Sequence, residues 1–364
     1  MRLTAAHAMG RDAFCVSFGA DDPGEPYSII LSYDGRFPQP WTRVDVSRRI
    51  CSIISHTSLG NDVIYVAMSD EGDVYFLAED QTIHEKIPGA GIYSPDSADL
   101  GAMSALLPYG DRIVGIGAGS QAYLRHGADD WVQIGTTGID LDGGALSHDF
   151  LGGAVLHEAT LMTFGMAIVR TQQMSDEMLE RVSAAGARGD MGEVNRIFDQ
   201  IGAQQLPDQP QVHQYRGQSW SQLTMPREVP LRDMFVENDQ RVWIVGLEGA
   251  IFVGNPAAGF ADVSFHGDRI DLYAITKFRE EMIVASGYSL HRFDGHILSP
   301  LKPILDPSIN NGIPTPLGLQ AIDEVMFYFD YKHGVCRWDG ETWDWIDIPQ
   351  ELLVRDFKGP GDAR

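Results

Sequence analysis

The sequence predicts an all-β protein built from seven copies of one four-stranded unit, interrupted once by a pair of short helices. Three observations predict it: a recurring pair of strand-like runs, a Gly turn that follows each pair, and one segment whose apolar spacing changes to that of a helix. The paired runs are Val63–Ala67 before Asp73–Leu77, Ile113–Gly117 before Gln121–Arg125, and Val242–Gly246 before Gly249–Val253. Met282–Ser286 before Ser289–Phe293 and Val325–Phe329 before Gly334–Trp338 repeat the pattern. In each, a nearly continuous apolar run fits a strand buried on both faces. The more alternating run after it fits a strand half exposed. The short polar gaps read as hairpin turns.

The second signal closes each unit. Tyr33-Asp34-Gly35 precedes Trp41, Arg125-His126-Gly127 precedes Trp131, and Tyr215-Arg216-Gly217 precedes Trp220. Phe293-Asp294-Gly295 precedes Ile297, and Trp338-Asp339-Gly340 precedes Trp343. Glycine lets the chain reverse through positive φ, and the following Trp or Ile is expected to begin an outer strand that covers the unit's edge. Spacing counts the units. Gly295 to Gly340 is 45 residues, and Gly35 to Gly127 is 92, two units with a closure near Asp80. Gly217 to Gly295 is 78, two short units with a closure near Gly254. Gly127 to Gly217 is 90 residues but holds one strand cluster. Seven closures result, near residues 35, 80, 127, 217, 254, 295 and 340.

Four strands repeated every 40–45 residues resemble a β-propeller. The chain is similar to a divergent bacterial-type seven-bladed β-propeller, of WD40- or kelch-like architecture without their signature motifs. Trp-Asp occurs only in the last unit, at Trp338-Asp339 and Trp343-Asp344, and neither a Gly-His pair nor a double glycine recurs from unit to unit. Asp34-Gly35 and Asp339-Gly340 resemble the Asp-box turn of sialidase-type propellers without its full box. The resemblance implies one ring-shaped domain over 1–349 and a tail over 350–364. A closed ring places Leu3–Met9 and Trp343–Ile348 in adjacent blades.

The surplus in the fourth unit lies at about 174–204. Ser175 can cap a helix with Asp176 and Glu177 in its first turn. Met178, Leu179 and Val182 share one face; Gly186 and Gly189 flank a break. Asp190 followed by Glu193 resembles a capping box, and Val194, Ile197, Phe198 and Ile201 lie on one apolar face. This predicts a helical hairpin inserted in blade four, either a lid on the rim or a recognition element.

Composition bounds the function. The chain of 364 residues carries 27 basic and 51 acidic side chains, a net charge of −24. That argues against nucleic acid, whose phosphates need a clustered cationic face, and against anionic lipid. Apolar content of 44% excludes wholesale disorder. No apolar leader follows Arg2 and no run is long enough to span a bilayer, so the expected setting is cytoplasmic. Cys15, Cys51 and Cys336 form no CxxC or zinc pattern and are expected as core residues in a reducing compartment.

The sequence singles out no catalytic residue, no metal ligand and no cofactor site. His157-Glu158-Ala159-Thr160 lacks the second His of a zincin, and Asp140-Leu141-Asp142-Gly143-Gly144 lacks the other oxygens of a calcium loop. Gly115-Ile116-Gly117-Ala118-Gly119-Ser120 looks like a phosphate loop but lies between two strands, where a hairpin turn is expected. Arg188-Gly189-Asp190 matches an adhesion tripeptide by chance. His126, His291, His296 and His333 are dispersed over strand turns.

The leading expectation is therefore a non-catalytic protein-binding propeller for a basic partner, since a negative field steers cationic proteins. Its concrete form is an immunity-type inhibitor of a bacterial toxin. Glu177, Glu180, Asp190 and Glu193, on the solvent side of the inserted helices, are the expected partner-binding residues. A hydrolase or lyase with a channel-centred site, and a structural scaffold, are the alternatives.

Overall fold

A computed structural model describes residues 1–20, 26–56, 63–79, 81–135, 146–156, 160–169, 176–202, 209–265, 270–303, 305 and 308–355. Its strands form seven four-stranded antiparallel sheets, each made of four consecutive strands paired in chain order. The chain is a seven-bladed β-propeller. Blades one to seven span 2–46, 50–86, 103–133, 146–223, 231–262, 272–301 and 316–346.

The first strands of neighbouring blades lie side by side around the circle, from Arg2–Gly10 of blade one to Pro316–Ile322 of blade seven and back. They form the inner wall. The continuous apolar runs are the second strands. Ala13–Gly19 and Val325–Asp330 are buried at every position, because each is sandwiched between two blades. The ring closes without a strand shared between the two ends of the chain. Leu3, Phe14 and Phe18 of blade one instead share a core with Val325, Phe327 and Phe329 of blade seven. The Gln320 amide completes the seam, donating to the Ala8 carbonyl at 2.7 Å and accepting from the Ala8 N–H at 2.8 Å. Beyond blade seven, Leu352 and Leu353 pack on that same core, and the Val354 carbonyl accepts from Arg43 Nη2 at 3.0 Å.

The closing turns join strand three to strand four, and the register defines one closing pair per blade. The pairs are Tyr33–Trp41, Arg125–Trp131, Tyr215–Trp220, Gly254–Phe260, Phe293–Leu298 and Trp338–Trp343. Ile297 is therefore not the strand residue the sequence suggested. It lies in the turn, more than half exposed, and Leu298 takes the pairing position. The rings do more than cover an edge: they enter the seam with the preceding blade. Trp220 Nε1 donates across the seam to the Ile134 carbonyl at 2.6 Å. Trp131 Nε1 donates to Glu85 of blade two at 2.9 Å, and Arg125 grips the same carboxylate. Trp338 lies 5.0 Å from Phe278 of blade six. In blade two the pair is Leu77–Thr82, with no ring.

The insertion is a helical hairpin, α1 (Asp176–Ala187) and α2 (Met191–Gly202), between the second and third strands of blade four. Ala185, Val194 and Ile197 are buried as the two helices pack together. Ser175 lies outside the described residues. No helix among the described residues is long and apolar enough to cross a membrane.

Candidate functional site

Antiparallel order gives the ring two different faces. One carries the crossovers between blades and the turns from strand two to strand three; the other carries the remaining hairpin turns. The inserted helices belong to the crossover face.

At the crossover end of the inner wall, every first strand has one extra residue against its second strand. The seven bulge residues are Thr4, Cys51, Ser104, Leu151, Arg232, Tyr273 and Leu317. A bulge leaves its residue unpaired and re-aims the side chain, so these seven ring the channel mouth. The mouth is two-sided. In blades one to three the side chain turns back to the second strand. Thr4 Oγ1 lies 3.2 Å from the Ser17 carbonyl, Cys51 Sγ 3.4 Å from that of Met68, and Ser104 Oγ 3.1 Å from that of Ile116. In each case the acceptor is the residue opposite the bulge's successor. In blades four to seven the bulge residues are large. Leu151, Arg232 and Tyr273 are exposed and Leu317 is half-buried. The Arg232 guanidinium sits 5.9 Å from the Tyr273 ring centre, linking blades five and six. Tyr288, at the next turn of blade six, is 79% exposed. Of these side chains, Tyr and Arg are the types enriched in interface hot spots.

Deeper in the wall, polar groups stitch blade to blade. His7 Nε2 is 3.0 Å from Ser55 Oγ, and the Leu106 N–H donates to Ser52 Oγ at 2.9 Å. Asp233 accepts from the N–H of Met234 and, across the seam, that of Ile275, each at 2.8 Å. Burial lowers the His7 imidazole to about 4 and raises the Asp233 carboxyl to about 7.

Beside the exposed half of the mouth, blade four rises. Its first strand, Leu146–Leu156, starts five residues before the bulge, whereas that of blade five starts one residue before. The extra four residues, at about 3.3 Å each, lift the arm roughly 13 Å. Blade three braces it: the Ser120 N–H donates to the His148 carbonyl, and the Gly119 N–H to Asp149 Oδ1 at 2.9 Å. This is the glycine-rich segment that looked like a phosphate loop, and it is a hairpin turn. Gly119 has φ +62°, and a Cβ there would lie 2.5 Å from the Leu100 carbonyl. Inside the arm's base the His148 and His213 rings meet edge-on at 5.1 Å, and burial lowers both imidazoles, His213 to about 4.

The acids expected to bind a partner divide on the hairpin. Glu180 is exposed on α1. Asp190 is exposed and accepts the Glu193 N–H at 3.0 Å, so it caps α2. Glu193 is half-buried and faces two cations, Arg181 at 3.6 Å and Arg188 at 3.3 Å. Glu177 lies in the first turn of α1; its side chain is outside the described residues. The Asp140–Gly144 and His157–Ala159 segments are outside them too.

Cys15, Cys51 and Cys336 are free thiols that burial pushes up, Cys15 to about 12. Among the described residues no three His, Cys, Asp or Glu side chains gather as metal ligands.

No family model and no curated protein matches the chain. Solved structures do. Virginiamycin B lyase from Staphylococcus aureus is similar over 95% of each chain, with a TM-score of 0.61 at 9% identity. The WD40 β-propeller domain of Doa1 is similar over 92% of this chain and 91% of that one, with a TM-score of 0.55 at 8% identity. One neighbour is a lyase and the other a WD40 domain; at these identities the likeness is one of fold.

Proposed function

We propose that this chain is a non-catalytic protein-binding propeller that takes a basic protein on its crossover face. The carrying observation is the half-ring of Leu151, Arg232, Tyr273 and Leu317 beside a raised, helix-tipped arm. The half-ring supplies an apolar and aromatic centre. The net charge of −24 supplies the long-range field that draws in a cationic partner. Blades one to three contribute to the scaffold, because their bulge groups already bond to backbone and the hydroxyls of Ser52 and Ser55 to a neighbouring blade. The biological form of this reading is an immunity-type inhibitor that neutralises a basic toxin in the bacterial cytoplasm.

The test is capture of a partner from native lysate, followed by calorimetry with purified variants. Tyr273→Ser with Tyr288→Ser should weaken binding at least tenfold, since hot-spot truncations commonly cost about 2 kcal/mol or more. Phe37→Ser, on the opposite face, should leave affinity unchanged. Equal losses from both faces would sink the assignment.

A second reading is a hydrolase or lyase with a channel-centred site. Asp233 favours it: a carboxyl in the channel wall, raised to about 7, next to Arg232. Both of its oxygens accept backbone N–H groups, which makes it first a stitch between blades. Turnover abolished by Asp233→Asn in a stable protein would favour this reading.

A further inference from the structure

The geometry points to a binding site for an uncharged, planar aromatic small molecule in the seam between blades one and two. It is independent of the crossover face, because the cleft opens among the hairpin turns. In each of the other six blades the closing pair places at least one Trp, Tyr or Phe ring against the preceding blade. Blade two places Leu77 and Thr82 there, and Thr82 is exposed where Trp131 and Trp220 are buried. At this seam the surface opens into a cleft of about 830 Å³, lined by Tyr33, Val44, Ile64, Tyr65, Leu77 and Thr82. That size falls in the range of about 300–1,000 Å³ typical of small-molecule sites, and mostly apolar walls are typical too.

The other seams say what fits. A ring occupies the corresponding place in each, so a ligand ring would complete this one. The walls offer aromatic partners for offset or edge-on stacking. Tyr65 lines the wall with its ring, while its Oη is buried behind the surface and has no hydrogen-bond partner among the described residues. The rim offers no spare guanidinium to an anion: Arg43 is engaged by Asp45 at 3.0 and 2.8 Å, and the exposed acid Glu79 also lines the cleft. Arg36 forks onto Asp34 at 2.8 and 2.6 Å, so the two charges cancel, and the Asp34 carboxyl is held below the usual carboxylate range by that guanidinium.

The probe is Nile red, a neutral fused-ring dye with a carbonyl, followed by fluorescence titration of the full chain. The wild type should bind it saturably at one site, and free indole should displace it. Thr82→Trp supplies the missing ring from within. It should weaken dye binding at least tenfold and raise Tm by about 3 °C, since it buries an aromatic ring at a site with room for it. Thr82→Ser should bind as the wild type does. If Thr82→Trp fails to fold, Val44→Trp closes the cleft from blade one and should abolish binding in the same way. Absence of saturable binding to the wild type, failure of indole to compete, or unchanged binding by a folded Trp variant would overturn the proposal.

Discussion

Replacing Trp338 by alanine tests whether the closing pairs hold the ring together. Trp338 is 3% exposed, stacks on Trp343 at 5.5 Å, meets Phe278 of blade six at 5.0 Å, and has the Arg292 guanidinium 5.4 Å from its ring. Truncating a fully buried Trp costs about 3–5 kcal/mol. With an unfolding entropy of about 2.1 cal/mol/K per residue over the 364 residues, about 4 kcal/mol corresponds to a Tm drop of about 5 °C. Trp343 is only half-buried and its ring contact is Trp338. Half the burial plus one stacking contact gives about 2 kcal/mol, a drop of about 2–3 °C. Thermal unfolding followed by near-ultraviolet circular dichroism measures both. Trp338→Phe should recover most of the loss. A Trp338→Ala drop smaller than that of Trp343→Ala, or below 1 °C, would show that the pair does not seal the blade-six seam.

The Gln320 amide makes two hydrogen bonds to Ala8, each contributing about 1 kcal/mol, so Gln320→Ala should lower Tm by about 2–3 °C; an unchanged Tm in calorimetry would remove it from ring closure. His213 has a folded pKa of about 4 against an ordinary 6.5, a depressed base. Its contribution to stability is full above about 6.5 and is lost as pH falls through 4, so His213→Phe should flatten the fall of urea midpoints over that window. A slope equal to that of the wild type would contradict it. Trypsin should cut first at Arg188, exposed between α1 and α2, and leave a cooperative remainder over 1–349; early cleavage between blades into two stable fragments would count against one domain. Replacing Glu177, Glu180 and Glu193 with Gln and Asp190 with Asn should leave Tm nearly unchanged, since exposed ion pairs contribute little and Asn still caps. It should weaken partner binding and flatten its salt dependence; calorimetry giving the wild-type affinity would take the hairpin out of the interface.

Much of the fold was legible because burial writes itself into composition. Val325–Phe329 reads as a continuous apolar run since blades cover both faces of that strand. The Asp-Gly turns and trailing Trp residues mark the blade edges, and the change of period at Val194 and Ile197 marks the helices. The site was not legible. Thr4, Cys51, Ser104, Leu151, Arg232, Tyr273 and Leu317 share no chemistry; what unites them is a one-residue slip in register. Only counting back from each aligned second strand would have found them. Seam contacts were hidden for another reason: Trp220 and Ile134 are 86 residues apart. The hairpin acids were seen as solvent charge, but two of them have local duties, Asp190 as a cap and Glu193 as a partner of Arg181 and Arg188.

Hydrogen exchange of the full chain with and without its captured partner tests the location of binding most directly. Exchange should slow in 148–151, 231–233, 272–274 and 287–289 and in the inserted helices, with the hairpin turns 35–40, 294–297 and 339–342 unchanged. Protection confined to those hairpin turns, with the channel mouth and arm exchanging as in the free protein, would contradict it.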